Sequence, residues 1–265
     1  MAFSFVHLSD HHLLEAEGTL RLGFSPAFAL RTVLRHVAEH VADRVDFLVT
    51  TGDVVEPSSE AAYRTARNLF GIDEGQVMLP GPVHINVEGL VGFPMVILPG
   101  NHDDRGLFFR RLYSLEQAPR LMNASFEHKG VQFVCLDWGS ESKAVADPKM
   151  LEFLARSLES GRPSILLMHH QAIRVGSRWL DSFIAEDVDT FWEIVARGNV
   201  LAILSGHAHL TYEKIVEGVP VLGIRSTAFP FFLHDDPVLT LVPPHYRLIT
   251  VDEGLLTSCV FEVPL

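Results

Sequence analysis

The run Phe3-Ser4-Phe5-Val6-His7-Leu8-Ser9-Asp10-His11-His12 passes from six residues of strand character directly into a cluster of side chains that can bind metal. Four further apolar segments end in the same way. Val45 to Thr50 leads to Gly52-Asp53, and Met95 to Leu98 leads to Gly100-Asn101-His102-Asp103. Ile165 to Met168 is followed by His169-His170, and Val200 to Leu204 by Ser205-Gly206-His207-Ala208-His209. In α/β sheets, ligands and reacting groups gather at the carboxyl ends of strands, so five such loops can converge on one site. Glycine before the polar residue, at Gly52, Gly100 and Gly206, permits tight turns and close backbone approach.

Outward from these five, Val131 to Leu136, Val219 to Ile224 and Tyr246 to Val251 also read as strands. Near-continuous apolar runs of this length suit strands covered on both faces. Helical patterns lie between them. Ser25-Pro26 reads as an N-cap with proline at the first helical position, followed by Leu30, Val33, Leu34, Val37 and Val41 as one apolar stripe. Asp147-Pro148 repeats the signal ahead of Leu151, Leu154 and Leu158, and Phe191 to Val195 marks a short helix before Gly198-Asn199. The alternation predicts an α/β fold with sheets between helices. No linker, repeat or low-complexity tract divides the chain, so residues 1–265 read as one domain. Residues 71–94, rich in glycine and proline, read as a long surface insertion or small hairpin.

Composition narrows the function classes. Lys and Arg number 21 against 33 Asp and Glu, a formal net charge of −12, which excludes the broad basic footprint of a nucleic-acid-polymer binder. No apolar run approaches the roughly 20 residues of a membrane span. No leader pattern precedes the first strand, and the expected location is the cytoplasm. The two cysteines, Cys135 and Cys259, fall inside apolar strand segments and read as buried thiols.

The chain has 14 histidines, and position decides their meaning. His7, His36, His40, His84 and His128 read as ordinary surface or core residues. His11 alternates away from its neighbours Asp10 and His12 and reads as structural. Asp53 taken alone is a candidate helix cap, but beside the other four motifs it reads as a ligand. The set Asp10, His12, Asp53, Asn101, His169, His207 and His209 holds two carboxylates, four imidazoles and one amide oxygen. Such donors suit Mn, Fe, Co or Zn better than calcium. Seven ligands overfill one tetrahedral site and divide between two metals if one carboxylate bridges.

The ordered set D-x-H, G-D, G-N-H-D, H and G-H-x-H, spanning residues 10 to 209, resembles the calcineurin-like metallophosphoesterase superfamily. Gly100 to Arg105, Trp179-Leu180-Asp181-Ser182 and Phe191-Trp192 resemble its class III cyclic-nucleotide phosphodiesterases and bacterial glycerophosphodiesterases. The resemblance implies a four-layer αββα sandwich, two mixed sheets flanked by helices. It also implies that Asp10, His12 and His209 hold a first metal, that Asn101, His169 and His207 hold a second, and that Asp53 bridges them. A metal-bound hydroxide would attack the phosphorus of a small phosphodiester, a cyclic nucleotide or glycerophosphodiester, while His102 assists the leaving group. Arg105 could reach a substrate oxygen or be an exposed arginine tied to Asp103 or Asp104. His170 could line the substrate pocket or be structural. Gln171 and Ala172 follow His170 where the family often has prolines, and the Asp53-to-Asn101 gap is long, so the pocket is expected to be shaped differently.

A phosphomonoesterase of the same superfamily is the alternative, and a non-catalytic metal-binding scaffold is a third reading. Val54-Val55-Glu56-Pro57 after Asp53 departs from the protein serine/threonine phosphatases. Phe229, Phe231 and Phe232 could form a lip over the pocket or belong to core or interface. The segment 226–265 is expected to form a cap or a homo-oligomer interface.

Overall fold

A computed structural model describes residues 2–72, 83–87 and 90–265. Among the described residues, twelve strands form two six-stranded mixed sheets. The first has the order β12 (Leu255–Glu262), β11 (His245–Asp252), β1 (Phe3–Leu8), β2 (Phe47–Thr51), β4 (Leu90–Leu98), β3 (Val83–Val87). The second runs β5 (Ala124–His128), β6 (Val131–Leu136), β7 (Ser164–Met168), β8 (Val200–Ser205), β10 (Val219–Gly223), β9 (Tyr212–Val216). The central strands β1, β2 and β4 are parallel, as are β6, β7, β8 and β10, so their carboxyl ends share one rim of each sheet.

Strand alternation explains the layers. Phe3 and Phe5 of β1 face inward to a core between the sheets, with Phe47, Val49, Phe133, Ile165 and Leu204. Phe5 and Phe47 stack at 5.1 Å, and Phe133 meets Phe5 edge-on at 5.4 Å. Val6 and Leu8 face outward against α1 (Pro26–His40), α2 (Glu60–Phe70) and α3 (Arg105–Leu112), whose Leu30, Val33, Tyr63 and Phe108 are fully buried. On the other side, α4 (Pro148–Leu158) and α6 (Val188–Val195) cover Val134, Leu136, Leu166 and Ile203. Each buried Phe or Leu contributes about 1.5–3 kcal/mol of apolar transfer. The order helices, sheet, sheet, helices is the expected four-layer sandwich. A short helix α5 (Arg178–Asp181) lies in the loop after β7.

Two helices lacked a sequence signal strong enough to anticipate. Ser59 caps α2 by accepting from Ala62 N, and Asp104 caps α3 by accepting from Leu107 N. Of the stretch 71–94, residues 73–82 and 88–89 lie outside the described residues, while β3 and β4 form an antiparallel pair at the sheet edge. The last two strands extend the first sheet beside β1. The expected burial of both cysteines is corrected: Cys135 is buried in β6, but Cys259 is exposed. Its strand β12 is an edge strand that alternates between exposed and half-buried positions, so an apolar composition did not guarantee cover. Among the described residues no helix is long and apolar enough to cross a membrane.

Candidate metal centre

The loops after β1, β2, β4, β7 and β8 meet at one rim and carry all seven expected ligands. Asp10, His12, Asp53, His207 and His209 adopt left-handed backbone conformations, with φ of 56°, 45°, 49°, 64° and 50°. Residues other than glycine do so at a cost that surrounding structure must overcome, and such positions gather at functional sites. Here the overcoming contacts are backbone hydrogen bonds between loops: Asp10 N to Gly52 O at 3.0 Å, His12 N to Asp53 O at 2.9 Å and Gly206 N to His169 O at 3.0 Å. Gly100 and Gly206 allow the loops to close. A Cβ at Gly100 would collide with the Asp53 carboxylate and backbone, and one at Gly206 with Ser9 and Asp10.

The donor atoms form two groups that share Asp53, and a third beside them joins His12, Glu56 and His102. Asp10, His12, Asp53 and His209 offer ligand atoms within 4.8 Å of one another, and so do Asp53, His169 and His207. In the first group, Nε2 of His12 and Nε2 of His209 are 3.0 Å apart, and His209 Nε2 is 3.2 Å from Asp10 Oδ1. In the second, His169 Nε2 lies 3.0 Å from Asn101 Oδ1 and 3.2 Å from His207 Nδ1. Asp53 Oδ2 stands between them, 3.6 Å from His12 Nε2 and 3.3 Å from His169 Nε2, while its Oδ1 accepts from His102 N at 2.9 Å.

Each imidazole is braced on its other nitrogen. His169 Nδ1 donates to Thr51 O at 2.7 Å, His209 Nδ1 to Phe229 O at 2.8 Å, and His207 Nε2 to Ser142 O at 3.0 Å. His12 Nδ1 faces the Glu56 carboxylate at 2.7 Å. A proton held on the outer nitrogen leaves a lone pair on the inner one, the tautomer that metal ligation requires. Burial alone would raise the carboxyls of Asp10 and Asp53, but His209 at Asp10 and His169 at Asp53 outweigh it and hold both below the ordinary range. Asp10 and Asp53 are therefore ionised at 0% and 1% exposure, a condition that calls for paired positive charge. A proton competes with a cation for the same nitrogens. Burial lowers His169, yet the Asp53 carboxylate beside it raises it to about 9. The oxygen and nitrogen donors, the inward lone pairs and the shared carboxylate fit two first-row transition-metal ions.

These motifs have a counterpart in sequence space: the pattern of the calcineurin-like phosphoesterase family matches residues 3–210. The chain belongs to that family. Similar proteins include a 3',5'-cyclic adenosine monophosphate phosphodiesterase CpdA of Vibrio vulnificus, 27% identical across 98% of this chain and 89% of that protein. The CpdA of Escherichia coli K12 is 27% identical, over 97% and 89% of the two chains. Among solved structures, the fold resembles GAP50 of Plasmodium, with TM-score 0.57 and 10% identity over 100% of this chain and 89% of that one. A putative 5'-nucleotidase of Staphylococcus aureus gives TM-score 0.54 at 12% identity, over 99% of this chain and 54% of that one.

A cavity of about 230 Å³ opens over the donor cluster, lined by His12, Asp53, Asn101, His207 and His209. His102 is on its wall, its ring 5.0 Å from that of His12. Phe229 and Phe231 line it with Trp179 and Phe183, whereas Phe232 is exposed. Arg105 lies elsewhere. Its Nε donates to Asp137 Oδ2 at 3.0 Å, and its other nitrogens donate to Asp137 Oδ1 and to the carbonyls of Gly100, Asp103 and Gly139. With every guanidinium nitrogen engaged it is a half-buried strut beneath the Asn101 loop, and its carboxylate partner is Asp137 instead of Asp103 or Asp104. His170, 1% exposed, donates from Nε2 to Glu141 O at 2.9 Å and packs 4.6 Å from the His207 ring, behind the ligands. His11 bridges Thr50 and Thr227 at 2.8 Å each, away from the donor cluster.

Sequence reasoning missed three supporting residues. Asp103, 1% exposed, accepts from Gly100 N at 2.9 Å, Val54 N at 3.0 Å and the Tyr63 hydroxyl at 2.9 Å, tying the Asp53 loop to the Asn101 loop. Asp137 anchors Arg105, and Glu56 backs His12. Only Asp103 left a trace, as the last residue of the Gly100 to Asp103 motif.

Proposed function

We propose that the chain is a two-metal phosphodiesterase acting on a small phosphodiester, with a cyclic nucleotide as the first candidate and a glycerophosphodiester as the second. The observation that carries this reading is Asp53, whose Oδ2 faces both donor groups at once. Asp10, His12 and His209 would hold one ion, Asn101, His169 and His207 the other, with Asp53 common to both and Mn, Fe, Co or Zn as suitable metals. Such a pair, when bound, supplies an activated water nucleophile at neutral pH and neutralises charge on the phosphate oxygens. His102 stands on the cavity wall outside the two groups that share Asp53, though near His12 and Glu56, where a proton on its ring can be delivered to a departing alkoxide. Its backbone N–H, bonded to Asp53 Oδ1, keeps that ring adjacent to the shared carboxylate.

The CpdA likeness across nearly the whole chain supports the cyclic-nucleotide reading, and the aromatic residues of the cavity give a planar group something to lie against. The free thiols agree with a cytoplasmic setting. Phe232, Leu233 and Leu241 are exposed apolar residues in the 226–265 segment and are the natural place for a homo-oligomer contact. The deciding experiment compares bis-p-nitrophenyl phosphate, p-nitrophenyl phosphate, cyclic AMP and a glycerophosphodiester as kcat/KM after chelation and Mn²⁺ addition. Diester turnover with cyclic AMP ahead is expected. Faster monoester cleavage would make the chain a phosphatase, and no turnover of any substrate would leave a scaffold.

A further inference from the structure

Three of the four inward imidazoles rest on neutral backbone carbonyls, and His12 alone is backed by a charged group. Glu56 approaches His12 Nδ1 at 2.7 Å with a side chain only 15% exposed, as a close electrostatic contact out of line with the N–H direction. Neither His12 Nδ1 nor Glu56 Oε2 has a hydrogen-bond partner elsewhere among the described residues. The other Glu56 oxygen lies 2.7 Å from Arg21. Arg21 is held there by a tight turn: it exchanges both backbone hydrogen bonds with Phe24 at 2.9 Å, and the central Leu22 and Gly23 have φ of 53° and 86°. Positive φ at both central residues is the turn that closes a two-residue hairpin and fixes the direction of its flanks. Glu56 is fixed from its backbone as well, through its N–H to Leu13 O at 3.0 Å.

We propose that Glu56 is a positioning residue that sets the cation affinity of the site formed by Asp10, His12, Asp53 and His209, with Arg21 as its outer anchor. The inference rests on the two-metal reading above. A carboxylate charge this close to Nδ1 favours a proton on that outer nitrogen, and so a lone pair on the inner one, more strongly than a neutral carbonyl does. Because Glu56 backs His12 and not His169 or His207, its effect falls on one of the two sites. Arg21 restrains the carboxylate against swinging toward solvent.

The test uses the full chain stripped by a chelator and titrated with Mn²⁺ alone, read by calorimetry as two successive Kd values. In Glu56→Ala, one equivalent is expected to weaken about 10–100-fold while the other stays within about twofold. Glu56→Gln, which keeps the size and loses the charge, weakens the same equivalent less. Arg21→Ala sits at the exposed rim, and it too weakens that equivalent by less than Glu56→Ala. Two equivalents in the wild type with neither, or both equally, weakened in Glu56→Ala overturns the role of Glu56 alone. No Mn²⁺ uptake by the wild type overturns the two-metal reading and this inference with it.

Discussion

Replacing Asp103 by alanine tests whether the two central loops are held together by one buried carboxylate. The side chain is 1% exposed and accepts from Gly100 N, Val54 N and the Tyr63 hydroxyl, with a longer contact from Val55 N at 3.4 Å. Each buried donor left without a partner costs about 1–3 kcal/mol, so the three shorter contacts set a range of about 3–9 kcal/mol. A water entering the vacated carboxylate space can satisfy one or two of them, which leaves one or two orphaned and an expected loss of about 1–6 kcal/mol. For a chain of this size about 2–4 °C of Tm accompanies each kcal/mol, so a fall of about 2–24 °C is expected. The melt is followed by circular dichroism in chelator, which removes any contribution from bound metal. The same variant should also bind metal more weakly, because the carboxylate joins the loop bearing Asp53 to the loop bearing Asn101. A Tm within about 2 °C of the wild type would refute the tie, since even one orphaned donor should shift it further.

Asp103 also carries a pH signature. Burial first, then the neighbouring Asp53 charge, push it up from 3.8 to about 6. A raised folded-state value means its proton favours the fold: that contribution is complete below 3.8 and is lost as pH rises through about 6. The stability of the wild type relative to Asp103→Asn, measured by denaturant melts in chelator, should therefore fall as pH rises across that window, and a flat or rising difference would remove the shift. His102→Ala should lower kcat about 10²–10⁴-fold for poor leaving groups and far less for p-nitrophenolate, with metal content unchanged; equal losses on both would end the proton-donor role. Asp53→Ala should empty at least one metal site in elemental analysis, and full occupancy would refute the shared ligand. A thiol reagent at pH 8 should label one equivalent, at exposed Cys259, because burial pushes the Cys135 thiol up to about 12; labelling of both in the native protein would contradict that burial.

Much of the site was legible because its chemistry sits at strand ends, where an apolar run breaks into Asp, Asn or His within two or three residues. That signal is local, so Asp10, Asp53, Asn101, His169 and His207 could each be read without knowing the fold. The backing residues could not. Glu56 touches His12 and Arg21 only after the first two loops lie side by side, and Asp137 meets Arg105 across 32 positions of chain. The carboxylate partner of Arg105 was hidden for the same reason: adjacent aspartates are near in sequence, but the helix cap takes Asp104 and the buried tie takes Asp103. Exposure of Cys259 depended on which strand ended the sheet, a property of topology that a run of apolar residues does not encode. Strand β5 alternates with an exposed face and strand β9 is exposed through its middle, so both lacked the continuous apolar run that revealed their buried neighbours.

The left-handed backbone at Asp10, His12, Asp53, His207 and His209 sets this chain's heat resistance against its chemistry. Glycine accepts such angles freely, so each of these positions offers a route to a tougher protein that can no longer assemble its donors. Selection for thermal survival alone would therefore tend to erode the cluster, and screening for stabilised variants must retain an assay of turnover at every round.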